Sequence, residues 1–276
     1  MSDNISTDSK ISTALSSKIT GASANEEIPV IIMLTDQKIA FNSINGKSQI
    51  EREQKNIINI LENARSDNSA KNIKPIKIIN AVAAKVTPEV IASLVKMPEV
   101  SVIEPDEVVH IAESQELPLN KIKALSSMLD ATNVNAWGVD KIGAPAVWQQ
   151  GVTGKGIIVA VVDTGIDVQH PDLDDLDDNP NTNDPKVVGW IDYINGENSP
   201  YDDNYHGTHV AGTISGTGAN GMHTGVAPGT KLIGAKVFDS QCNGWMSDII
   251  LGFEWAVNND ARIINFLVGL HHMGMH

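Results

Sequence analysis

Three nearly uninterrupted apolar segments in the second half of the chain, 157–162, 231–238 and 262–268, constrain its fold most strongly. Continuous rather than alternating hydrophobicity is typical of strands that are covered on both faces, as in a parallel sheet. Helical patterns at 207–216 and 247–259 lie between these segments, and such alternation indicates βαβ units. We therefore predict an α/β fold, with a mostly parallel sheet and helices on both of its faces.

The first half of the chain predicts a separate, small α+β domain over 28–110. A short apolar strand opens it, and 48–65 place their apolar residues on one helical stripe. The segment 74–86 has the β-branched content of a strand. Thr87 and Pro88 then provide the N-cap and first-turn residues of another helix.

Two polar segments flank this small domain. Residues 1–27 are rich in Ser, Thr, Asn and Asp and predict a disordered tail without the apolar core of a signal peptide. Residues 111–131 form a mixed polar linker, where we expect proteolysis. The α/β region occupies 132–276.

The charge of the chain excludes two classes of partner. Its 20 Lys and Arg residues against 34 Asp and Glu residues give a net charge of −14. Residues 132–276 hold 17 of the acidic and 6 of the basic residues, a net charge of −11. This argues against nucleic acid or an anionic membrane as a partner. The sequence contains no run of 18 apolar residues, so it predicts no membrane span.

Two motifs contain residues that could carry out chemistry. Asp163 lies in the motif VVDTGID, directly after an apolar segment, and therefore at the edge of a parallel sheet where α/β proteins place their sites. His206 opens the motif HGTHVAGT, whose small residues indicate close packing of a helix.

Together the two motifs resemble the subtilisin-like serine proteases. Asp163 and His206 match the first two members of that family's catalytic triad, in the family's order. The segments 137–145, 170–173 and 225–228 extend the resemblance. It implies that the imidazole of His206 acts as general base toward a serine hydroxyl, while Asp163 orients the ring.

The resemblance also implies a site for polypeptide substrates. In the family, two strands pair with the extended substrate backbone. Leu267 stands where the family has a serine. The matching residues are Gly244, Trp245, Met246, Leu267, Val268 and Gly269.

The third member of the triad is missing. The family's nucleophile lies in a Gly-Thr-Ser-x-Ala motif, and this motif does not occur in the chain. Ser199, Ser215, Ser240 and Ser247 lie in other contexts. We therefore expect a zymogen form of a subtilisin-like serine endopeptidase that is inactive by itself.

The domain at 28–110 resembles the inhibitory propeptide of the same family. The resemblance implies that it assists folding, blocks the active-site cleft and is cut off within 111–131. It also implies an extracellular location.

No cofactor is expected for catalysis, but the family often binds structural calcium. The resemblance assigns Asp172 and Asn133 as ligands, with further oxygens from the loop 217–224. Ala219 falls where an amide or carboxylate would be needed, because a hard cation requires several oxygens.

Two other interpretations remain open from the sequence. The domain at 28–110 could make the chain a non-catalytic protease inhibitor or folding helper. Alternatively, His206 and His209 could share a metal ion in a hydrolase, because two histidines three apart lie on one helical face. Further ligands would then come from Asp167, His170 and Asp172.

Overall fold

A computed structural model of the protein divides into two compact units. The first comprises 1–108 and 245–254, and the second comprises 109–244 and 255–276. The structure describes residues 9–111, 135–176, 182–219 and 221–267.

The first unit is built on a four-stranded sheet in the order β2-β3-β1-β4. Each neighbouring pair of strands is antiparallel. Its elements are α1 (Thr13–Gly21), β1 (Ile28–Leu34), α2 (Ile44–Ser66), β2 (Ala70–Ile76), β3 (Ala81–Val86), α3 (Pro88–Leu94) and β4 (Val100–Pro105).

Helix α2 buries the apolar stripe that its sequence predicts, including Ile50, Ile57 and Leu61. The segment 74–86, predicted as one strand, instead contributes to two strands, β2 and β3. Asn80 lies in the turn between them with φ 40°, a left-handed conformation that asparagine tolerates better than most residues. The chain can therefore reverse there.

The prediction of a disordered tail over 1–27 is wrong for the part of it that the structure describes. Helix α1 occupies Thr13–Gly21, and the hydroxyl of Ser12 accepts a hydrogen bond from the Leu15 N–H at its start. The side chain of Leu15 is fully buried in the core of the first unit. Few apolar residues in a polar segment were enough to form this helix, because packing rather than composition stabilises it.

The first unit also includes the start of α7 (Met246–Asn258). Asp106 accepts hydrogen bonds from the N–H and hydroxyl of Ser247, at 3.0 and 2.7 Å. Lys74 Nζ lies 2.5 Å from a carboxylate oxygen of Asp248. Glu254 accepts the N–H groups of Lys77 and Ile78. These contacts satisfy N–H groups that a helix start or a turn leaves without a partner.

The second unit contains a four-stranded parallel sheet in the order β10-β6-β8-β7. Two shorter strands, β5 and β9, lie outside this sheet. Each of these two strands has one residue in the first unit, Val108 in β5 and Trp245 in β9. The elements are β5 (Val108–His110), α4 (Trp137–Lys141), α5 (Ala144–Trp148), β6 (Ile158–Asp163), β7 (Val187–Asp192), α6 (His206–Ser215), β8 (Lys231–Lys236), β9 (Asn243–Trp245) and β10 (Ile263–Asn265).

Successive residues of β6 face opposite sides of this sheet, as the pleat requires. Val159 and Val161 pack with Val210 of α6 on one face. Ala160 packs with Trp255 and Ala256 of α7 on the other. The predicted α/β fold with a parallel sheet and helices on both faces is therefore confirmed.

Candidate active site

The candidate site begins at the carboxyl end of β6, where Asp163 is the last residue of the strand. Only 1% of Asp163 is exposed. Its Oδ1 accepts a hydrogen bond of 2.7 Å from the Thr164 N–H. The buried carboxylate is therefore held in one orientation by its own turn.

His206 is the first residue of α6. Its Nδ1 lies 2.7 Å from Oδ1 of Asp163, so the structure brings the two predicted residues into hydrogen-bond contact. In the tautomer that donates from Nδ1, Nε2 carries a lone pair. The side chain of His206 is 23% exposed. The ring therefore keeps a basic nitrogen for a second group.

Two glycines allow the turn after β6 to approach the start of α6. A Cβ on Gly207 would lie 2.1 Å from the carbonyl oxygen of Gly165. Gly165 itself has φ 140°, and a Cβ there would lie 2.1 Å from the carbonyl oxygen of Tyr201. A side chain at either position would force the two backbones apart, and the Asp163–His206 contact depends on that approach.

The pKa of the His206 imidazole is raised above its usual value. The hydrogen bond with Asp163 is the largest cause, and burial opposes it. The negative charges of Asp163 and Asp202 raise the pKa further. The protonated imidazole is therefore favoured, as a general base requires once it has taken a proton.

The predicted substrate-binding residues lie in two places. Gly244 and Trp245 belong to β9, and Met246 is the first residue of α7. Leu267 follows β10 and is 57% exposed. Val268 and Gly269 lie outside the described residues.

The segment that follows the first-unit sheet runs beside β9 within the second unit. The Ile111 N–H donates a hydrogen bond of 3.0 Å to the carbonyl oxygen of Cys242. Nδ1 of His110 lies 3.0 Å from Oδ1 of Asn243. An extended piece of this chain thus contacts the strand that the resemblance assigns to substrate.

The residues around Asp172 do not fit the calcium site that the resemblance implies. Ala219 supplies no side-chain oxygen. The carbonyl oxygen of Thr217 lies 2.6 Å from Nδ1 of His223, and a Cβ on Gly218 would lie 2.5 Å from the same nitrogen. The imidazole thus lies within hydrogen-bond distance of one oxygen of the loop that the resemblance assigns to calcium. Asn133 lies outside the described residues.

The metal-hydrolase interpretation also lacks its ligands. Across the described part of the chain, no group of three or more His, Cys, Asp or Glu side chains is arranged to hold a metal ion. Nδ1 of His206 already contacts Asp163.

Two of the serines considered as nucleophiles donate their hydroxyls to other residues. Ser215 donates to Thr230 and Ser247 donates to Asp106.

Sequence reasoning missed two polar residues beside Asp163. Asp202 accepts hydrogen bonds from Thr164 and Thr208. Lys236 is fully buried, and its Nζ donates to the carbonyl oxygen of Thr164 and to Asp203. Asp202 could have been found from the sequence, because two adjacent aspartates stand just before His206. No sequence feature marks Lys236, which lies in an apolar segment.

Comparison with known families agrees with this arrangement. Residues 154–272 match the subtilase family, and residues 30–112 match the peptidase inhibitor I9 family. The two matches together are consistent with a subtilase precursor, in which an inhibitor I9 domain precedes a subtilase domain.

Individual relatives are proteases of this family. Subtilisin E of Bacillus subtilis (strain 168) is 34% identical over 234 residues, which cover 81% of this chain and 53% of that protein. The alkaline protease of Alkalihalobacillus alcalophilus is 32% identical over 261 residues, covering 94% and 58%. Bacillopeptidase F of Bacillus subtilis (strain 168) is 36% identical over 216 residues, covering 76% and 15%.

The chain spans between about one-seventh and three-fifths of the length of these three relatives.

Among the described helices, none combines the length and the apolar character that crossing a membrane requires.

Proposed function

We propose that this chain is the precursor part of a subtilisin-like serine endopeptidase that supplies two of the three catalytic residues. The observation that carries this proposal is the 2.7 Å contact between Nδ1 of His206 and Oδ1 of Asp163. A buried carboxylate against one ring nitrogen, with the other nitrogen available, is the arrangement that activates a hydroxyl.

In the proposed reaction, Nε2 of His206 takes the proton from a serine hydroxyl as that oxygen attacks the peptide carbonyl. The same nitrogen then gives the proton to the leaving amine. Asp163 stays ionised, keeps the ring in the productive tautomer and stabilises the imidazolium. No serine of this chain has the motif of the nucleophile, so the chain by itself is proposed to be inactive.

Polypeptides are the proposed substrates, bound by strand addition along Gly244–Met246. The I9 domain is proposed to occupy the same cleft before maturation. The contacts of Ile111 with Cys242 and of His110 with Asn243 support this, because they lie directly before the proposed substrate strand. The proteolytic cut that removes the I9 domain is proposed within 111–131.

The proposed location is extracellular, which detection of the processed chain in culture medium would test.

A chimeric protease tests the catalytic proposal. Residues 1–265 would be joined to the part of Subtilisin E that follows its matched segment, and hydrolysis of a chromogenic peptide would be measured. We expect turnover by the chimera and none by the present chain. His206→Gln should lower kcat by about 10⁶-fold, the size of the loss measured in a subtilisin.

Asp163→Asn provides the second measurement. It should lower kcat by about 10⁴-fold, because the ring loses its orienting partner while the nucleophile and base remain. Thr213→Ser, on the exposed side of α6, serves as a matched control and should leave kcat unchanged. A folded chimera whose turnover is insensitive to His206→Gln would contradict the proposal.

A non-catalytic inhibitor is the second candidate function, and one observation favours it. The sheet of the first unit, its helices α1 to α3 and the core that they share lie within the I9 match and the residues just before it. The full chain carrying His206→Gln would be added to Subtilisin E during peptide hydrolysis. Stoichiometric inhibition would support this role, and full activity at a large excess of the chain would contradict it.

A further inference from the structure

A second carboxylate is built into the backbone beside the Asp163–His206 pair. Asp202 lies in the loop before α6 and accepts five hydrogen bonds. Oδ1 accepts from the Thr164 hydroxyl at 2.9 Å and from two N–H groups of its own loop, Asn204 and Tyr205, at 3.1 Å each. Oδ2 accepts from the N–H and hydroxyl of Thr208, at 2.9 and 2.6 Å.

These bonds join the two segments that hold the candidate catalytic residues. Thr164 directly follows Asp163, and its Oγ1 both donates to Asp202 and accepts the Gly207 N–H at 2.9 Å. Thr208 lies two residues after His206, in the first turn of α6. Asp202 therefore connects the turn after β6 to the start of the helix that His206 begins.

Asp202 is also suited to carry a charge. Burial acts to raise the pKa of its carboxyl, but the hydrogen bonds from Thr208, Asn204 and Thr164 hold the pKa below its usual value. The group is thus ionised at neutral pH. An anion held by fixed dipoles stabilises positive charge that develops nearby without further reorganisation.

The other charged groups near the imidazole divide into two kinds. Asp163 contacts the ring directly from β6. Asp203, the neighbour of Asp202, pairs with Lys236 Nζ of β8 at 2.6 Å, so a cation offsets its charge. The partners of Asp202, by contrast, are hydroxyls and N–H groups. No cation offsets the charge of Asp202 among these contacts. The negative charge of Asp202 therefore raises the pKa of the His206 ring in addition to that of Asp163.

We propose that Asp202 is a positioning residue of this site, which aligns the first turn of α6 with the turn after β6 and places a second negative charge near the His206 imidazolium. This inference rests on the proposed function, because it assigns His206 as the base. It concerns geometry and charge that the chain possesses without a nucleophile, so it can be tested without turnover.

The test is an NMR titration of the His206 ring in the full chain, with the signal assigned through His206→Gln. Asp202→Asn removes the charge and keeps the shape, and we expect a lower His206 pKa. Asp203→Asn is the matched control and should lower it less. Asp202→Glu keeps the charge and should retain more of the raised pKa than Asp202→Asn. Equal pKa values in Asp202→Asn and the unaltered chain would overturn the proposal.

A hydroxyl variant decides the matter if Asp202→Asn does not fold. Thr164→Val removes the link between Asp202 and the turn after β6 while leaving every charge in place. We expect it to lower the His206 pKa because the Asp163–His206 contact loosens, and Thr164→Ser should restore it. No difference between Thr164→Val and Thr164→Ser would also overturn the proposal.

Asp163→Asn separates this inference from the proposed function. It should lower the His206 pKa more than any other variant in the series. If Asp163→Asn leaves the pKa unchanged, the catalytic proposal itself fails. If Asp163→Asn lowers the pKa and Asp202→Asn does not, only the role of Asp202 fails.

Discussion

The two units differ in how completely they cover their own apolar residues. The first unit packs α1, α2 and α3 with an antiparallel sheet around a large core, and a second, smaller cluster accompanies it. The described part of the second unit has two smaller clusters on the faces of its parallel sheet. Several of its large apolar side chains stay in water, including Trp137 at 70% and Ile142 at 63% exposure.

The second unit also contains an apolar cavity of ≈ 700 Å³. Val139, Ile142, Leu173, Gly212 and Val226 are among its lining residues. An uncovered apolar surface of this kind gains nothing from the hydrophobic effect. The comparison indicates that the larger described core lies in the first unit, whereas the proposed catalytic residues lie in the other.

The largest expected effect is in the first unit. Leu15→Ala should lower the free energy of unfolding by about 2–5 kcal/mol, because it empties a fully buried position between α1 and the sheet. Urea unfolding followed by circular dichroism measures this change. Ile44→Ala, at a residue that is 86% exposed, is the control and should change stability by less than about 0.5 kcal/mol. Similar effects of the two variants would show that α1 contributes little to this core.

A smaller effect is expected from the backbone contact that supports the Asp163–His206 pair. Gly207→Ala should cost about 1–3 kcal/mol, because its Cβ meets the carbonyl oxygen of Gly165. Gly212→Ala in the same helix meets nothing within 4 Å and should stabilise by about 0.5–1 kcal/mol. Hydrogen exchange should show the loss in β6 and α6 with β1 unaffected. A loss shared by both units would break the comparison.

The candidate site of the second unit should make the stability of the chain depend on pH. Because the folded-state pKa of His206 is raised, its contact with Asp163 stabilises the fold fully below the usual histidine pKa of 6.5. That contribution is lost as the pH rises through the raised value. Unfolding measured between pH 5 and pH 9 should show this decline, and His206→Gln should remove it. An unchanged pH profile in His206→Gln would assign the decline to another group.

The smallest expected effect is that of calcium. A site loaded at 100 times its Kd would stabilise the fold by about 2.7 kcal/mol. We expect equal Tm values in calcium and in a chelator, because the His223 ring already contacts the Thr217 carbonyl. His223→Ala removes that contact and should lower Tm in both solutions. A rise in Tm with calcium in the unaltered chain would show that the loop binds the ion after all.

Sequence patterns were sufficient to predict the structure where it is periodic or where a recognisable motif specifies it. Continuous apolar segments predicted the parallel sheet, and the stripe of α2 predicted its buried face. The motifs around Asp163 and His206 identified the family. The same reasoning failed at α1, whose short apolar pattern stabilises a helix only because Leu15 finds a core. It also failed at the β2–β3 hairpin, where β-branched residues continue on both sides of the turn.

By itself, the sequence predicted the class of fold, the resemblance to the subtilases and the pairing of Asp163 with His206, because each is encoded in residues close together in the chain. Only the tertiary structure decided what surrounds that pair. The five hydrogen bonds of Asp202 and the contact of His223 with Thr217 depend on the path of irregular loops. Loops have no periodic pattern, and their polar groups find partners only after the sheet and helices have brought them within hydrogen-bond distance.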